Sequence, residues 1–493
     1  MKTIYSTFLS GICILLLFAC YDDKGNYNYK DINEVKISGL TDQSKYTNID
    51  RLIVEPTLDF SQDPNGTYTY EWSARSKRTT PGLNRPEDII IGKKKNLDYF
   101  VTLPSGQYTI TLKVTDATTN LTWSNNFTLN VATSTYMGWM VLCDENGLAR
   151  LDMVEESGNE PLYSRNFLAL SLPTAQHDPW KMEAFTLDLG GSFDIFMLTG
   201  DGCTKLVSED LSYEESNDFK YLFADLSANT IKAQAFAGYA ITGTLVVGDN
   251  NLYWRKQQGG ALFGVPVNVI NGQTVKVAPY IGYKTGSSTL FGGNNFVLFD
   301  KDNLRFIKYY KDDLSCSYLD NFPQGKELVF MQNSLYQGGT TYAILRDPQT
   351  DVYSILPFDS NNLTTGTETP IDIPGIQNIQ LFAFDPLYPY LFYSDGKQIF
   401  LYSWTESKPE NKITPMQNFP NETITMLKYN ISFGGIYSGG TGYPDKYLLV
   451  GTETTDGTGS LRLYEAQPNR EQLKNYKSYS GFARIIDATY RER

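Results

Sequence analysis

Few side chains in this 493-residue sequence have the type and spacing that catalysis requires, and the only histidine is His177. A zinc site of the H-E-x-x-H type needs two histidines, and a Ser-His-Asp triad would have to use this one. His177 stands in the segment 173–180, directly before Asp178. A loop histidine beside a carboxylate is either solvated or part of a ligand site. We keep His177 as a candidate ligand-binding residue.

Two aromatic residues are the other candidates for ligand binding. Trp180 ends the same segment, and Tyr280 follows a proline in a comparable segment, Pro279-Tyr280. Such a side chain either packs in the core or offers a surface on which a sugar or peptide ring stacks. Phe322-Pro323 and Phe419-Pro420 occupy similar positions. We therefore expect aromatic residues around one face of the folded domain.

Aspartates recur in short polar turns, most densely in Asp300-Lys-Asp-Asn303. A calcium loop needs more oxygen ligands at fixed offsets, including a late Glu, whereas a strand-like run resumes here at once. This pattern predicts a hairpin turn, and no metal site is predicted. The glycine-rich run 434–440 lacks the strand-to-helix setting of a phosphate loop, and no cofactor is predicted. Paired carboxylates for glycoside hydrolysis are not recognisable in a sequence, because their separation is spatial.

The elements that must position these residues are hairpins, which recur seven times between residues 139 and 466. Each has an apolar first arm, a turn rich in Asp, Asn and Gly, and a second arm that includes alternating polar residues. The first arms are residues 139–143, 195–198, 244–247, 296–299, 342–345, 390–393 and 447–450. They are apolar on both faces, which is typical of strands packed between two neighbouring sheets.

The spacing of the hairpins predicts the architecture. Successive first arms are about 51 residues apart, within the periods typical of propellers and solenoids. That length fits one four-stranded blade, so residues 133–493 are predicted to form a seven-bladed β-propeller. A six- or eight-bladed ring would move only a few strands and is one alternative. The other is an irregular pair of β-sandwiches with evenly spaced hairpins.

Further strand-like runs precede most first arms, and we expect these to line a central channel. They are residues 184–187, 235–237, 328–331, 381–384 and 424–427. The first hairpin has no such run before it. We predict that the C-terminal run 482–486 pairs into the first blade and closes the ring, which removes exposed sheet edges.

Residues 31–132 read as several short strands separated by turns, which predicts an immunoglobulin-like β-sandwich. Tyr70-Glu-Trp72, followed by Gly-Gln-Tyr-Thr-Ile-Thr-Leu-Lys-Val-Thr-Asp at 106–116, resembles a PKD domain. In such domains the early Trp is a core residue, so Trp72 is expected to be structural.

The N-terminus has the features of a secretion signal over residues 1–19. Lys2 is basic, and the apolar stretch 8–18 is too short to span a membrane. Leu17-Phe-Ala-Cys20 resembles the lipobox of bacterial lipoproteins, which implies cleavage before Cys20 and its acylation. An ordinary signal peptide with a chance cysteine is the alternative. Residues 20–30 are the predicted tether, and their acidic start, 21–25, resembles the surface-export signal of Bacteroidetes-type lipoproteins.

The composition excludes some classes of partner and bond. The formal net charge is −13 and the longest basic run is Lys93-Lys-Lys95, so nucleic acid is not a predicted partner. Besides Cys13 and Cys20 the sequence has three dispersed cysteines without C-x-x-C spacing, which indicates neither a zinc knuckle nor a disulfide framework. Cys143 lies within an apolar arm and is expected in the core.

The lipobox, the PKD-like stretch and the propeller-like repeats together resemble a family of Bacteroidetes PKD-like surface lipoproteins that accompany SusC/SusD-type importers. The resemblance implies a lipid-anchored outer-membrane protein that faces the cell exterior. We predict a non-catalytic accessory protein that binds an oligosaccharide or peptide, or docks on the importer. A propeller-fold polysaccharide hydrolase or lyase is one alternative, and a structural or adhesive surface protein is the other.

Overall fold

The computed structural model describes residues 32–47, 49–77, 88–132, 137–156, 160–186, 193–208, 210–225, 231–239, 243–256, 261–285, 293–431 and 445–491. The predicted signal, Cys20, the tether and the run 434–440 lie outside the described residues. Residue contacts divide the chain into an N-terminal unit, which includes Asp50–Val101 and Gly106–Val131, and a second unit that includes Ala132–Arg493.

The N-terminal unit is a β-sandwich. Its strands are β1 (Val35–Ser38), β2 (Gln43–Tyr46), β3 (Arg51–Val54), β4 (Thr57–Phe60), β5 (Tyr68–Ser76), β6 (Ile89–Gly92), β7 (Leu97–Phe100), β8 (Gly106–Asp116) and β9 (Thr122–Ala132). One sheet has the order β2-β9-β8-β5-β6, and the pairs β3-β7 and β1-β4 form two small sheets.

The core of this unit forms because β8 buries alternate residues. Ile110, Leu112 and Val114 are fully buried, and the residues between them are partly exposed. Trp72 is also fully buried and pairs with Leu112 across the strands. Its indole N–H donates to the Lys94 carbonyl oxygen at 2.9 Å, which satisfies its single polar atom. The prediction that Trp72 is a core residue is confirmed.

The second unit contains seven radial sheets in the described residues. The first sheet contains β10 (Gly138–Glu145), β11 (Leu148–Glu155), β12 (Leu162–Ser164) and β37 (Arg484–Arg491). The second sheet contains β13 (Lys181–Thr186), β14 (Phe193–Thr199) and β15 (Gly202–Leu206). The third sheet contains β16 (Ala233–Tyr239), β17 (Gly243–Gly248) and β18 (Asn251–Lys256). A small hairpin of β19 (Val269–Ile270) and β20 (Gln273–Thr274) follows.

The remaining four sheets continue the series along the chain. The fourth sheet contains β21 (Asn295–Asp300), β22 (Arg305–Tyr310) and β23 (Ser315–Tyr318), and the fifth contains β24 (Glu327–Ser334), β25 (Thr340–Arg346), β26 (Tyr353–Asp359), β27 (Thr364–Thr365) and β28 (Thr369–Ile371). The sixth sheet contains β29 (Leu381–Phe384), β30 (Leu391–Ser394), β31 (Gln398–Tyr402) and β32 (Ile413–Asn418). The seventh sheet contains β33 (Glu422–Tyr429), β34 (Tyr447–Thr454), β35 (Gly459–Glu465) and β36 (Lys474–Phe482).

Helical structure in the described part of the chain is limited to short 3₁₀ turns. They are Phe167–Leu170, Glu215–Asn217, Phe219–Leu222, Tyr336–Gly338, Ile376–Asn378, Pro409–Asn411 and Pro468–Arg470. None of them has the length and hydrophobicity that a bilayer crossing needs. The prediction of an all-β chain, with a sandwich followed by a seven-bladed propeller, is confirmed.

The core of the propeller consists of seven clusters, one at each boundary between neighbouring sheets among the described residues. The strand β10 shows how they arise. Trp139, Val141 and Cys143 pack against the seventh sheet, whereas Met140 and Leu142 pack against the second. The first arms lack polar alternation because both of their faces are buried. Burial also raises the pKa of the Cys143 thiol, so this cysteine is an unreactive core residue as predicted.

The first sheet is completed by the C-terminal strand. β37 pairs antiparallel with β10 over its whole length, with a register shift between Leu142 and Cys143. The pairing strand begins at Arg484, whereas the sequence placed it at 482–486; Phe482 instead ends β36. The cluster that contains Trp139 joins this first sheet to the seventh, so the ring of contacts is continuous.

Candidate functional site

The innermost strands of six sheets and one irregular segment of the fourth surround a channel of about 470 Å³. Its lining comes from β37, β13, β16, the segment 279–283, β24, β29 and β33 with the residues that follow it. The predicted inner runs fall within or overlap β13, β16, β24, β29 and β33. The volume lies within the range of small-molecule sites, about 300–1,000 Å³.

The fourth sheet contributes to the channel without a regular strand. Val277 forms a bridge to Asp300 and Gly282 one to Val297, so the segment between them lies beside β21. Pro279 within this segment has no backbone N–H to donate to a ladder. The segment therefore lacks the residue pattern of a strand, although it takes an inner position like that of the inner strands of the other six sheets.

One side of the channel is ionic and is formed by the second, first and seventh sheets. Lys181 Nζ lies 2.6 Å from Glu183 Oε1 within β13. Lys428 Nζ on β33 lies 2.7 Å from Asp487 Oδ1 on β37. Burial disfavours the charged form of Lys181, but Glu183 and Asp487 outweigh it and raise the pKa of Lys181 above its ordinary value. Both lysines therefore face the channel as paired cations.

The other side of the channel is aromatic and is formed by the fourth, fifth and sixth sheets. The rings of Tyr280 and Phe330 meet edge to face with centroids 6.1 Å apart, and Phe330 and Phe382 lie 5.8 Å apart. The Tyr280 hydroxyl donates to the Val329 carbonyl oxygen at 3.4 Å. Burial raises the pKa of Tyr280, so the phenol is neutral at physiological pH. We call Tyr280, Phe330 and Phe382 the aromatic wall.

A buried amide on the channel lining has an unsatisfied donor. Asn430 is 4% exposed, and its Oδ1 accepts from Thr489 Oγ1 at 2.7 Å and from the Tyr490 N–H at 3.2 Å. Since a backbone N–H can only donate, the amide orientation is fixed. Among the described residues, its buried Nδ2 has no hydrogen-bond acceptor. This nitrogen is covered by its surroundings, so a group in the channel does not reach it in this conformation.

The structure brings two of the three predicted binding residues together. Trp180, 39% exposed, and Tyr280 both line the channel. His177 does not line it: its Nδ1 lies 2.8 Å from Asp201 Oδ2, and the same oxygen accepts the His177 backbone N–H at 2.7 Å. These bonds lower the pKa of Asp201. His177 thus joins a loop to a neighbouring hairpin turn.

The expected ring of aromatics on one face is wrong in two places. Phe322 is 3% exposed and packs between the fourth and fifth sheets. Phe419 is 5% exposed and packs between the sixth and seventh. Their prolines mark loop positions, but their rings turn into the apolar clusters because burial of a phenyl ring is strongly favourable.

The aspartate-rich turns are hairpin turns, as predicted. Asp300 is fully buried, and its Oδ1 accepts the backbone N–H groups of Asp302 and Asn303 at 3.0 and 3.1 Å. Its Oδ2 accepts from the Asn303 amide at 2.7 Å and from the Tyr318 hydroxyl at 2.8 Å. The carboxylate therefore stabilises the turn itself.

Sequence reasoning missed the polar residues of the channel. Lys181, Lys428 and Asp487 lie in or beside runs identified only as apolar strands. A charged residue within an inner strand of a propeller was an available signal, because such a position faces either the core or the channel. Asn430 had no signal of its own, since its role depends on the distant Tyr490.

Comparison with known proteins identifies the N-terminal part. Residues 20–178 match the model of the PKD-like family. The sandwich and the start of the first propeller sheet lie in this stretch, so the N-terminal unit is PKD-like. No curated protein matches this chain in sequence.

One solved structure has a similar fold over most of the chain. A quinonprotein alcohol dehydrogenase-like protein from Bacteroides thetaiotaomicron is 12% identical, with a TM-score of 0.50 over 91% of this chain and 96% of that one. At this identity the likeness concerns the fold alone. A DUF4784 family protein from Bacteroides caccae is 11% identical over 93% of this chain and 98% of its own, with a TM-score of 0.30. The Dos1 propeller is 9% identical over 71% and 87%, with a TM-score of 0.35.

Proposed function

We propose that this chain is a non-catalytic surface lipoprotein that binds a nutrient, an oligosaccharide or a peptide, in its propeller channel. The observation that carries the proposal is the channel itself, a cavity of about 470 Å³ with an aromatic wall and an ionic side. Concave sites with aromatic lining and a few converging polar groups are typical of small-molecule binding. Trp180 at the start of β13 would extend the binding surface.

The second part of the proposal is the location and the partner. The stretch that matches the PKD-like family begins at residue 20, the cysteine of the lipobox-like sequence. We infer that Cys20 is acylated, that the protein is anchored in the outer membrane facing outwards, and that it serves a SusC/SusD-type importer. The sequence resemblance supports this partner.

The positions of the channel carboxylates favour binding over hydrolysis. A glycosidase needs one carboxyl group as acid and another as base or nucleophile. Asp487 accepts from Lys428, from the Met182 N–H at 2.9 Å and from the Ala488 N–H at 3.0 Å. Glu183 is held by Lys181. Both carboxylates therefore have structural partners that a catalytic role would have to displace.

A pull-down with paired variants tests the proposal. The affinity-tagged full-length chain is expressed with its own signal in a Bacteroidetes host. It should co-purify with an outer-membrane importer. Adding an extract that contains the nutrient should raise the melting temperature of the purified protein. Cys20→Ala should abolish acylation and surface exposure to added protease. Trp180→Ala should weaken ligand binding and leave importer association unchanged.

Three results would contradict the proposal. Products released from a glycan by the wild type but not by Glu183→Gln would support the hydrolase alternative. Binding of this protein to host or cell-wall material, with no ligand bound in the channel, would support the adhesive alternative. Finally, a soluble mature protein without an acyl group would remove the anchor.

A further inference from the structure

The channel is divided into two chemically different halves. The aromatic wall belongs to the fourth, fifth and sixth sheets, and the ion pairs Lys181–Glu183 and Lys428–Asp487 belong to the second, first and seventh. These two groups of sheets occupy different arcs of the ring, so a ligand in the channel can contact rings on one arc and charges on the other, where Trp180 adds a further ring. This division narrows the class of ligand.

The charges on the ionic side are balanced. Two ammonium groups face two carboxylates at 2.6 and 2.7 Å. An anionic ligand would bring a like charge close to Glu183 or Asp487, and a cationic ligand would do so with the lysines. Because each pair is neutral overall, a charged ligand gains little net attraction from it and still loses its own hydration, which is costly in a partly buried site. An uncharged ligand leaves both pairs intact.

The ionic side retains unused hydrogen-bonding capacity. An ammonium has three donors, and a carboxylate oxygen accepts more than one hydrogen bond. Hydroxyl groups both donate and accept, so a set of them can use the lysine donors and the carboxylate lone pairs that the two ion pairs leave over.

We propose that the channel binds an uncharged sugar unit, with one face of its ring against the aromatic wall and its hydroxyls towards Lys181 and Lys428. The inference rests on the proposed function, because it takes the channel as the ligand site. The inference favours a saccharide ligand over a peptide, and a neutral saccharide over an acidic one. A peptide would bring charged termini or side chains and fewer hydroxyls.

Isothermal titration of the mature full-length protein tests the inference with three probe sets. They are neutral gluco-, xylo-, manno- and galacto-oligosaccharides, uronic-acid oligosaccharides, and a tryptic digest of casein. At least one neutral oligosaccharide should bind, at least tenfold more tightly than any member of the other two sets. The salt dependence of binding should be weak, because no net charge is exchanged.

Matched variants locate the site. Phe330→Leu keeps an apolar side chain but removes a ring of the aromatic wall, and we expect binding about tenfold weaker. Lys181→Met leaves Glu183 unpaired and should also weaken neutral-sugar binding. The controls are Tyr221→Leu and Lys276→Met, which change an exposed ring and an exposed paired lysine away from the channel and should bind as the wild type does. The melting temperature of each variant reports folding.

The outcomes separate the inference from the proposed function. Uronic-acid oligosaccharides or peptides could instead bind more tightly than neutral oligosaccharides, with Phe330→Leu weakening that binding. This result would overturn the inference but would still identify the channel as a ligand site. If a folded Phe330→Leu or Lys181→Met variant bound the neutral sugar as tightly as the wild type, the sugar would have to bind outside the channel. That result would overturn the inference. No binding in any probe set would overturn both.

Discussion

Lys428 Nζ lies 2.7 Å from Asp487 Oδ1, which joins the inner strand of the seventh sheet to that of the first. The other oxygen of Asp487 accepts the backbone N–H of Met182 in the second sheet, at 2.9 Å. One carboxylate thus connects three consecutive sheets where the two ends of the propeller sequence meet. The Asp487 side chain is 6% exposed and that of Lys428 27% exposed, so water screens the pair weakly.

Asp487→Asn should destabilise the propeller. The substitution removes the anion and leaves Lys428 as an unpaired, partly buried cation, which costs about 3–5 kcal/mol. Calorimetry of the full-length chain would show this as a lower propeller melting temperature. Asp302→Asn breaks the exposed pair of Asp302 with Lys276 and should cost less than about 1 kcal/mol. Equal effects of the two substitutions would refute a role for Asp487 in joining the sheets.

Deletion of residues 484–493 should open the ring. The chain would lose β37, which pairs with β10 and contributes Ile485, Ala488 and Tyr490 to the cluster around Trp139. The free edge of β10 then favours association between chains. Size-exclusion chromatography should show oligomers or aggregates, and a synthetic peptide of residues 483–493 should partly restore the monomer. A truncated monomer with the wild-type melting temperature would contradict this.

Trp72→Ala should unfold the N-terminal sandwich. The side chain is fully buried, so the cavity and the lost burial together cost about 3–5 kcal/mol. Trp123→Ala on β9 of the same sheet is the matched control, because this side chain is partly exposed. It should cost about 1 kcal/mol or less. Urea titration followed by far-UV circular dichroism measures both, and a larger cost for Trp123→Ala would show that the core is elsewhere.

Acid should weaken the seventh sheet through Glu422. Burial raises the pKa of Glu422, but its two bonds to Arg462, at 2.8 and 2.9 Å, and the Thr452 hydroxyl outweigh burial and lower that pKa. The unfolded chain then binds a proton more readily than the folded chain. The stabilisation is present above the ordinary Glu pKa of about 4.3 and is lost as the pH falls through the lower folded value.

Glu422→Gln tests this pH dependence. The variant should lose about 1–3 kcal/mol at pH 7, because a charge-assisted pair is removed, and the difference from wild type should shrink towards pH 3. Glu471→Gln, at an exposed position, is the control and should leave the profile unchanged. Urea unfolding at several pH values gives the comparison. A constant difference between wild type and Glu422→Gln would exclude the linkage.

The fold could be predicted because its determinants are local or repeated. The hairpin turns depend on a few adjacent residues such as Asp300 and Asn303, and the buried first arms depend on runs of four or five apolar residues. The closing strand was placed two residues early, because Phe482 is apolar and buried like its neighbours. Apolar character alone does not distinguish the last residue of one strand from the start of the next.

The candidate site was predicted only in part because it is assembled from distant residues. Trp180 and Tyr280 were found by their loop positions and aromatic type. The pairing of Lys428 with Asp487 spans 59 residues, and the Tyr490 N–H that orients Asn430 is 60 residues away. No local sequence pattern indicates that residues so far apart in the chain are in contact. Phe322 and Phe419 had the same local signal as Tyr280 but turn into the core.

The strand that covers Trp139 is translated after every other described strand of the propeller. Tyr490 packs against the Trp139 ring with centroids 5.0 Å apart, so this indole gains its partner from β37 only after the other six sheets have been made. Until then the edge of β10 that β37 covers is unpaired, and unpaired edges favour association between chains. The position of β37 therefore makes completion of the first sheet one of the last steps in building the ring.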